Sequence, residues 1–165
     1  MSKKSTPKAK VRKGVTRYGR LVTWLLVVGV TAGSILIARQ PAKAADVVVY
    51  KSPTCGCCKD WVRHLEANGF TVEVHNQRDL DPIKTDMGVP RPLRSCHTAK
   101  VGGYVIEGHV PADVIARLLE ERPDIKGLAV PGMPMGSPGM EGPRKDRYNI
   151  LTLEKSGSVR VYASR

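Results

Sequence analysis

Cys55-Gly56-Cys57-Cys58 packs three sulfurs into four residues, directly after the β-branched run Val47-Val48-Val49-Tyr50 and at the head of an amphipathic stretch. A single free cysteine is usually a small buried hydrophobe. Three in four residues cannot all point into one core, so the run must sit at a strand-to-helix junction where sulfurs are held in common. The fourth cysteine, Cys96, has a histidine beside it, His97. Cys55 and Cys58 also satisfy C-x-x-C spacing, which serves thiol redox centres and metal knuckles alike. These sulfurs therefore exchange electrons, hold a metal, or do both.

The surrounding pattern fixes the class of fold. Val47–Tyr50, closed by Ser52-Pro53, reads as a buried strand. Thr54 is placed to cap a helix from about Cys57, whose apolar positions Cys58, Trp61, Val62 and Leu65 recur at helical spacing until Asn68-Gly69 stops it. Phe70–His75 alternates as a second strand. Strand, helix and strand with short links predict a parallel pair. Leu80–Met87 predicts a short helix capped by Asp81, with Pro82 in its first turn. Val101–Glu107 predicts a third strand, weakened by Gly102-Gly103. Pro111–Glu121 predicts a helix with Val114, Ile115, Leu118 and Leu119 on one face. Gly127–Gly142, rich in Gly, Pro and Met, predicts no regular structure and is too long for an idle connector. Tyr148–Leu153 and Ser158–Ala163 predict a β-hairpin. The expectation is an α/β fold, a single thioredoxin-like domain over residues 45–165. Its central mixed sheet is flanked by helices and ends in a C-terminal hairpin. In that plan Ser95-Cys96-His97-Thr98 is a loop facing the first helix's N-terminus, which returns Cys96 to the other three cysteines.

Charge is informative only once it is divided. The 165-residue chain has a formal charge of +12. Residues 1–20 hold eight Lys/Arg and no acid, and Leu21–Ala38 holds no charge. Ala42-Lys43-Ala44 then offers an A-x-A cleavage site. Residues 1–44 thus read as a bacterial secretory signal peptide, or as a membrane anchor if uncleaved, with the folded part in the periplasm. The apolar run of 18 residues just reaches spanning length, and the A-x-A favours cleavage. No twin-Arg pair is present, so the general secretory route is expected. Residues 44–165 carry 17 Lys/Arg against 15 Asp/Glu. The basic excess therefore belongs to the targeting segment and gives no case for a nucleic-acid partner.

The donor chemistry points to a soft metal. A helix N-terminus stabilises a thiolate, and thiolate is both nucleophile and metal ligand. Converging thiolates repel unless a cation sits among them. Met133, Met135 and Met140 lie in a Gly/Pro loop with no helix or strand face to fill, and thioether suits Cu(I) and seldom Zn. His97 and His109 are credible imidazole ligands; His64 reads as exposed and idle, and His75 as the end of a strand. No carboxylate pair suggests general acid–base work, and no phosphate loop follows a strand.

Four segments then resemble one family. Tyr50-Lys51-Ser52-Pro53-Thr54-Cys55-Gly56-Cys57-Cys58, Ser95-Cys96-His97-Thr98, Tyr104-Val105-Ile106-Glu107-Gly108-His109-Val110-Pro111 and Gly132-Met133-Pro134-Met135-Gly136-Ser137-Pro138-Gly139-Met140 are similar to the CopG family, small exported thioredoxin-like proteins long catalogued as a domain of unknown function. The resemblance runs from about Val47 to Ala163. It implies copper handling in the periplasm, often in copper resistance. It also implies Cu(I) bound by Cys55, Cys57 and Cys58, with help from Cys96, His97 and the loop methionines. More than one thiolate-bridged Cu(I), Cu(I)/Cu(II) redox and exchange with other periplasmic copper-handling proteins belong to the same expectation. The proline that thioredoxins carry before the third strand is absent, with Ser95–Thr98 in its place, which counts against exchange with protein disulfides. Two readings stand beside it: a thiol–disulfide oxidoreductase using Cys55 and Cys58, and a module with inert disulfides.

Overall fold

A computed structural model describes residues 46–165; the signal or anchor expected over 1–44 lies outside the described residues. Chain order is β1 (Val47–Lys51), α1 (Gly56–Ala67), β2 (Val72–Asn76), α2 (Asp81–Asp86), a 3-10 turn (Arg91–Leu93), β3 (His97–Val101), β4 (Tyr104–Glu107), α3 (Ala112–Glu121), β5 (Gly127–Ala129), β6 (Asn149–Leu153) and β7 (Val161–Ser164). The strands form one mixed sheet in the order β2-β1-β3-β4-β5-β6-β7. As the strand–helix–strand pattern predicts, β1 and β2 are parallel. β3 runs antiparallel to β1, with Lys51 opposite His97, and antiparallel to β4, with Thr98 opposite Glu107. Among the described residues no helix is long and apolar enough to cross a membrane.

The apolar positions read from the sequence build the core. Cys58, Trp61, Val62 and Leu65 of α1 are buried, as are Val114, Ile115 and Leu118 of α3, while Leu119 packs at the margin. They close on Val47 and Val49 of β1, Ala99 of β3, Ile106 of β4, Leu128 of β5 and Ile150 of β6. A second, smaller cluster of Val89, Leu93, Val105, Ala129 and Leu153 is also buried.

The structure corrects the sequence reading at several places. The expected third strand is a hairpin: Gly102 and Gly103, at φ 53° and 92°, form its turn between β3 and β4. Two consecutive positive-φ residues are what a tight two-residue hairpin turn requires, so the glycines that seemed to weaken a strand instead reverse it. As a result His97 and Thr98, expected in a loop, open β3. Gly127-Leu128-Ala129, expected to be irregular, is β5 and pairs parallel with β4. The helix caps differ as well. Cys55, not Thr54, is the N-cap of α1, and Leu80 that of α2; neither makes a side-chain capping bond.

His64 is not idle. Its Nε2 accepts the Ala112 backbone N–H at 3.0 Å, satisfying a first-turn donor of α3 and tying α1 to α3. Burial lowers its pKa below the ordinary 6.5, against the opposing pull of Glu141 and Asp113. Above about pH 6.5 the ring is neutral folded and unfolded, so its contribution is constant. Below that the unfolded chain takes up the proton first, and stability falls as pH drops. His64→Ala is expected to cost about 1 kcal/mol in urea denaturation at pH 7.5. His64→Gln, which keeps an acceptor and does not titrate, is expected to lose less stability than the parent between pH 7.5 and 5.5.

Candidate metal centre

The sheet register assembles the site. β1 ends at Lys51, the chain turns through Ser52-Pro53-Thr54, and Cys55 stands at the N-cap of α1. Cys57 lies in the helix's first turn, which holds no acidic residue to compete with sulfur for the helix's positive end. Because Lys51 pairs with His97, β3 begins beside the point where β1 ends, and Cys96 arrives at the same place from a distant part of the chain.

The four sulfurs, Cys55, Cys57, Cys58 and Cys96, all lie within 4.8 Å of one another. Cys55 and Cys58 are joined by a disulfide, leaving Cys57 and Cys96 as free thiols. Cys57 Sγ is 3.4 Å from Cys55 Sγ. Cys58, fully buried, lies with its sulfur 3.8 Å from the Cys96 carbonyl oxygen. In this oxidised form two of the four sulfurs are committed to each other. Reduction would release all four at one point.

A second set of donors shares Cys96. Its sulfur is 3.4 Å from His97 Nδ1 and 2.9 Å from His109 Nε2, and the three ligand atoms form a group of their own within 4.8 Å. His109 Nδ1–H donates to the Pro138 carbonyl at 2.7 Å. A carbonyl only accepts, so the proton sits on Nδ1 and the Nε2 lone pair faces the sulfur. A carbonyl partner on the far nitrogen is the usual way a protein orients an imidazole ligand. Burial, with Cys57 nearby, pushes the Cys96 thiol up to about 12. Without metal the thiol is therefore the donor to His109. His97 is fully enclosed against Trp61, ring centroids 4.2 Å apart. Its Nε2 is buried without a hydrogen-bond partner. Burial holds its pKa well below 6.5, and His109 and Lys84 push the same way. Burial lowers the His109 pKa as well, so both imidazoles are kept neutral, the form that ligates metal.

The methionine loop is seated on α1 by backbone contact. A Cβ at Gly139, φ +81°, would meet the Cys57 carbonyl oxygen at 2.5 Å and the Trp61 nitrogen at 2.8 Å. Met133 Sδ reaches to 4.0 Å from Cys57 Sγ and is 52% exposed. Met135 and Met140 are held in the loop's own contacts. The Met135 thioether lies against Gly142, and the Met140 backbone bonds to Gly136 and Ser137. The fold thus brings together Cys55, Cys57, Cys58, Cys96, His97, His109 and Met133. His75 is elsewhere, paired with Glu73 on β2.

Beneath this layer lies a buried polar network that the sequence reading did not find. Lys84 of α2 and Glu107 of β4 are 3% and 0% exposed, and Lys84 Nζ meets Glu107 Oε1 at 2.5 Å. Lys84 also donates to Thr98 Oγ1 at 2.7 Å. Glu107 accepts the Ser95 N–H at 2.5 Å and the Thr98 hydroxyl. Burial raises the Glu107 pKa, and Lys84 opposes it. The available signal was a short helix carrying Lys84 two positions from Asp86, and nothing in that spacing says which side chain faces inward.

The donor set is all sulfur and imidazole, soft and borderline ligands that fit Cu(I) well and hard cations poorly. A family profile described as "Protein of unknown function, DUF411" matches residues 93–140, the span from the end of the 3-10 turn to Met140. No curated protein matches the chain. Two solved structures do. "Copper resistance protein copG- Form 2" is 50% identical, covering 72% of this chain and 96% of its own, with a TM-score of 0.69. "Copper resistance protein copG- Form 1" is 50% identical, covering 72% and 95%, with a TM-score of 0.68. Identity at that level across nearly the whole of those chains shows that this chain belongs to the CopG family.

Proposed function

We propose that this protein is an exported copper-binding protein of copper resistance, taking Cu(I) at the Cys55, Cys57, Cys58 and Cys96 thiolates with support from His97, His109 and the methionine loop. The observation that carries this reading is the convergence of four cysteine sulfurs within 4.8 Å, overlapping a Cys96–His97–His109 group. A site of that composition has no use as packing. Once reduced, four sulfurs this close could not all be thiolates unless a cation sat among them, and their sharing of one point favours more than one thiolate-bridged Cu(I). The chain's likeness to two structures titled copper resistance protein supports the choice of metal. The β1-α1-β2-α2-β3-β4-α3 order, with β1 between β2 and β3, supports a thioredoxin-like plan.

Copper here is cargo. The protein's part is to bring the donors to one place: Cys57 in the first turn of α1, two neutral imidazoles at Cys96 and a thioether at the exposed rim. Since Cys55 and Cys58 are disulfide-bonded in this structure, full capacity belongs to the reduced form. That bond also favours a second reading, a dithiol oxidoreductase in which Cys55 and Cys58 pass an electron pair to a substrate disulfide. Its mark would be turnover of a disulfide substrate by metal-free protein.

Anaerobic titration of reduced protein with Cu(I) against a colorimetric chelator is expected to show one or more tightly held ions per chain. Cys57→Ser should lose most of that binding while keeping the fold, and protein with the Cys55–Cys58 disulfide closed should bind fewer ions than reduced protein. Unchanged stoichiometry in Cys57→Ser would sink the proposal. For location, we propose the periplasm, reached after cleavage behind Ala44. Intact-mass measurement of the exported protein is then expected to give a chain starting at Ala45, whereas a full-length mass in the membrane fraction would mean an anchored form.

A further inference from the structure

The buried Lys84–Glu107 pair is poorly explained as a stability device. Taking two charges out of water is costly, and well-packed apolar residues commonly serve a core as well or better. What an apolar pair cannot do is direct polar groups, and among the described residues every other side-chain hydrogen bond of this pair goes to one short segment. Glu107 Oε1 accepts the Ser95 N–H, its other oxygen accepts the Thr98 hydroxyl, and Lys84 Nζ donates to the Thr98 oxygen. Ser95 and Thr98 are the two residues that bracket Cys96 and His97. The pair therefore clamps the donor-bearing segment at both ends.

The clamp extends to the methionine loop. The Ser95 hydroxyl donates to the Gly132 carbonyl, one residue before Met133. Ser95 also lies tightly against Gly108, where a Cβ at φ +71° would meet Ser95 Cβ at 2.7 Å and the Val130 carbonyl oxygen at 2.5 Å. Gly108 and His97 are bonded in turn, the Gly108 N–H donating to the His97 carbonyl at 3.1 Å. One carboxylate of β4 thus ties down, through a single serine, the segments that carry Cys96 and Met133.

We propose that Lys84 and Glu107 are positioning residues of the metal centre, holding the Cys96 segment and, through Ser95, the Met133 loop in donor geometry. This rests on the metal-binding reading above. Groups that orient ligands from behind typically change metal affinity by about 10–100-fold when removed.

The test uses the full chain, metal-free, with the Cys55–Cys58 disulfide intact, so that Cys57 and Cys96 are the free thiols. Alkylation by iodoacetamide is followed at both by mass spectrometry, with Cys57 as internal control. Glu107→Gln is expected to raise the ratio of Cys96 to Cys57 modification about tenfold, because the segment carrying Cys96 opens more often. In the reduced protein it should weaken Cu(I) retention by about 10–100-fold. Ile115→Val, a core change away from the clamp, should lower thermal stability and move neither quantity. If Glu107→Gln fails to fold, Thr98→Val, which removes the hydroxyl held by both charges, is read in the same way with the same expectation. An unchanged Cys96-to-Cys57 ratio in a folded variant overturns the proposal, as does a changed ratio with undiminished Cu(I) retention. A parent protein that holds no Cu(I) sinks the copper reading on its own, while the alkylation ratio still decides whether the pair positions Cys96.

Discussion

Antiparallel pairing of β1 with β3 is the constraint from which the site follows. With Lys51 set opposite His97, the exit of one strand and the entrance of the other share an edge. Cys55 lies just beyond that exit and Cys96 just before that entrance. A slip of one residue would turn His97 from the Trp61 side of the sheet to the other face and carry Cys96 out of reach of α1. The hairpin at Gly102-Gly103 protects this register, since β3 is paired on both sides, with β1 and with β4. The apolar core and the sulfur cluster are therefore two results of the same strand alignment.

Within that frame the structure supplies polarity in layers. Sulfur and imidazole face the meeting point, the indole of Trp61 closes over His97 and is itself fixed by donation to the Val110 carbonyl at 2.8 Å, and behind them lies the Lys84–Glu107 pair. The neutral imidazoles and the raised Cys96 thiol have a common cause. Burial disfavours charge at each of them. Without metal, Cys96, His97 and His109 are thus held uncharged, and the buried charges of Lys84 and Glu107 behind them are locked to one another.

Much of this is legible in the chain. The burial of Cys58, Trp61, Val62 and Leu65 follows from helical spacing, and the parallel β1–β2 pair follows from strand–helix–strand order. The gathering of Cys55, Cys57 and Cys58 is written in their spacing alone. What the sequence hides are features created by tertiary approach. Gly102-Gly103 looks the same as a weak strand and as a hairpin turn until β4 is seen to fold back. Gly127–Ala129 is too short to announce itself as a strand and exists because β4 and β6 supply partners on either side. Lys84 and Glu107 are 23 residues apart, and no periodicity marks two charges as mutually buried. The helix cap at His64 was missed because its partner is a backbone N–H on another helix, a group present at nearly every residue and so invisible as a signal.

The contact at Gly139 has a consequence for how the loop can change over time. Its hold on α1 is made by a missing atom, main chain against main chain, with the Cys57 carbonyl and the Trp61 nitrogen filling the space a side chain would need. Such an anchor does not depend on the identity of its neighbours. Thioethers around it can be gained, lost or moved by point substitution while the loop's docking stays where it is, whereas nearly any replacement of that one glycine forfeits the docking. The number of soft ligands offered at the rim and the place where they are offered are thus separately inherited.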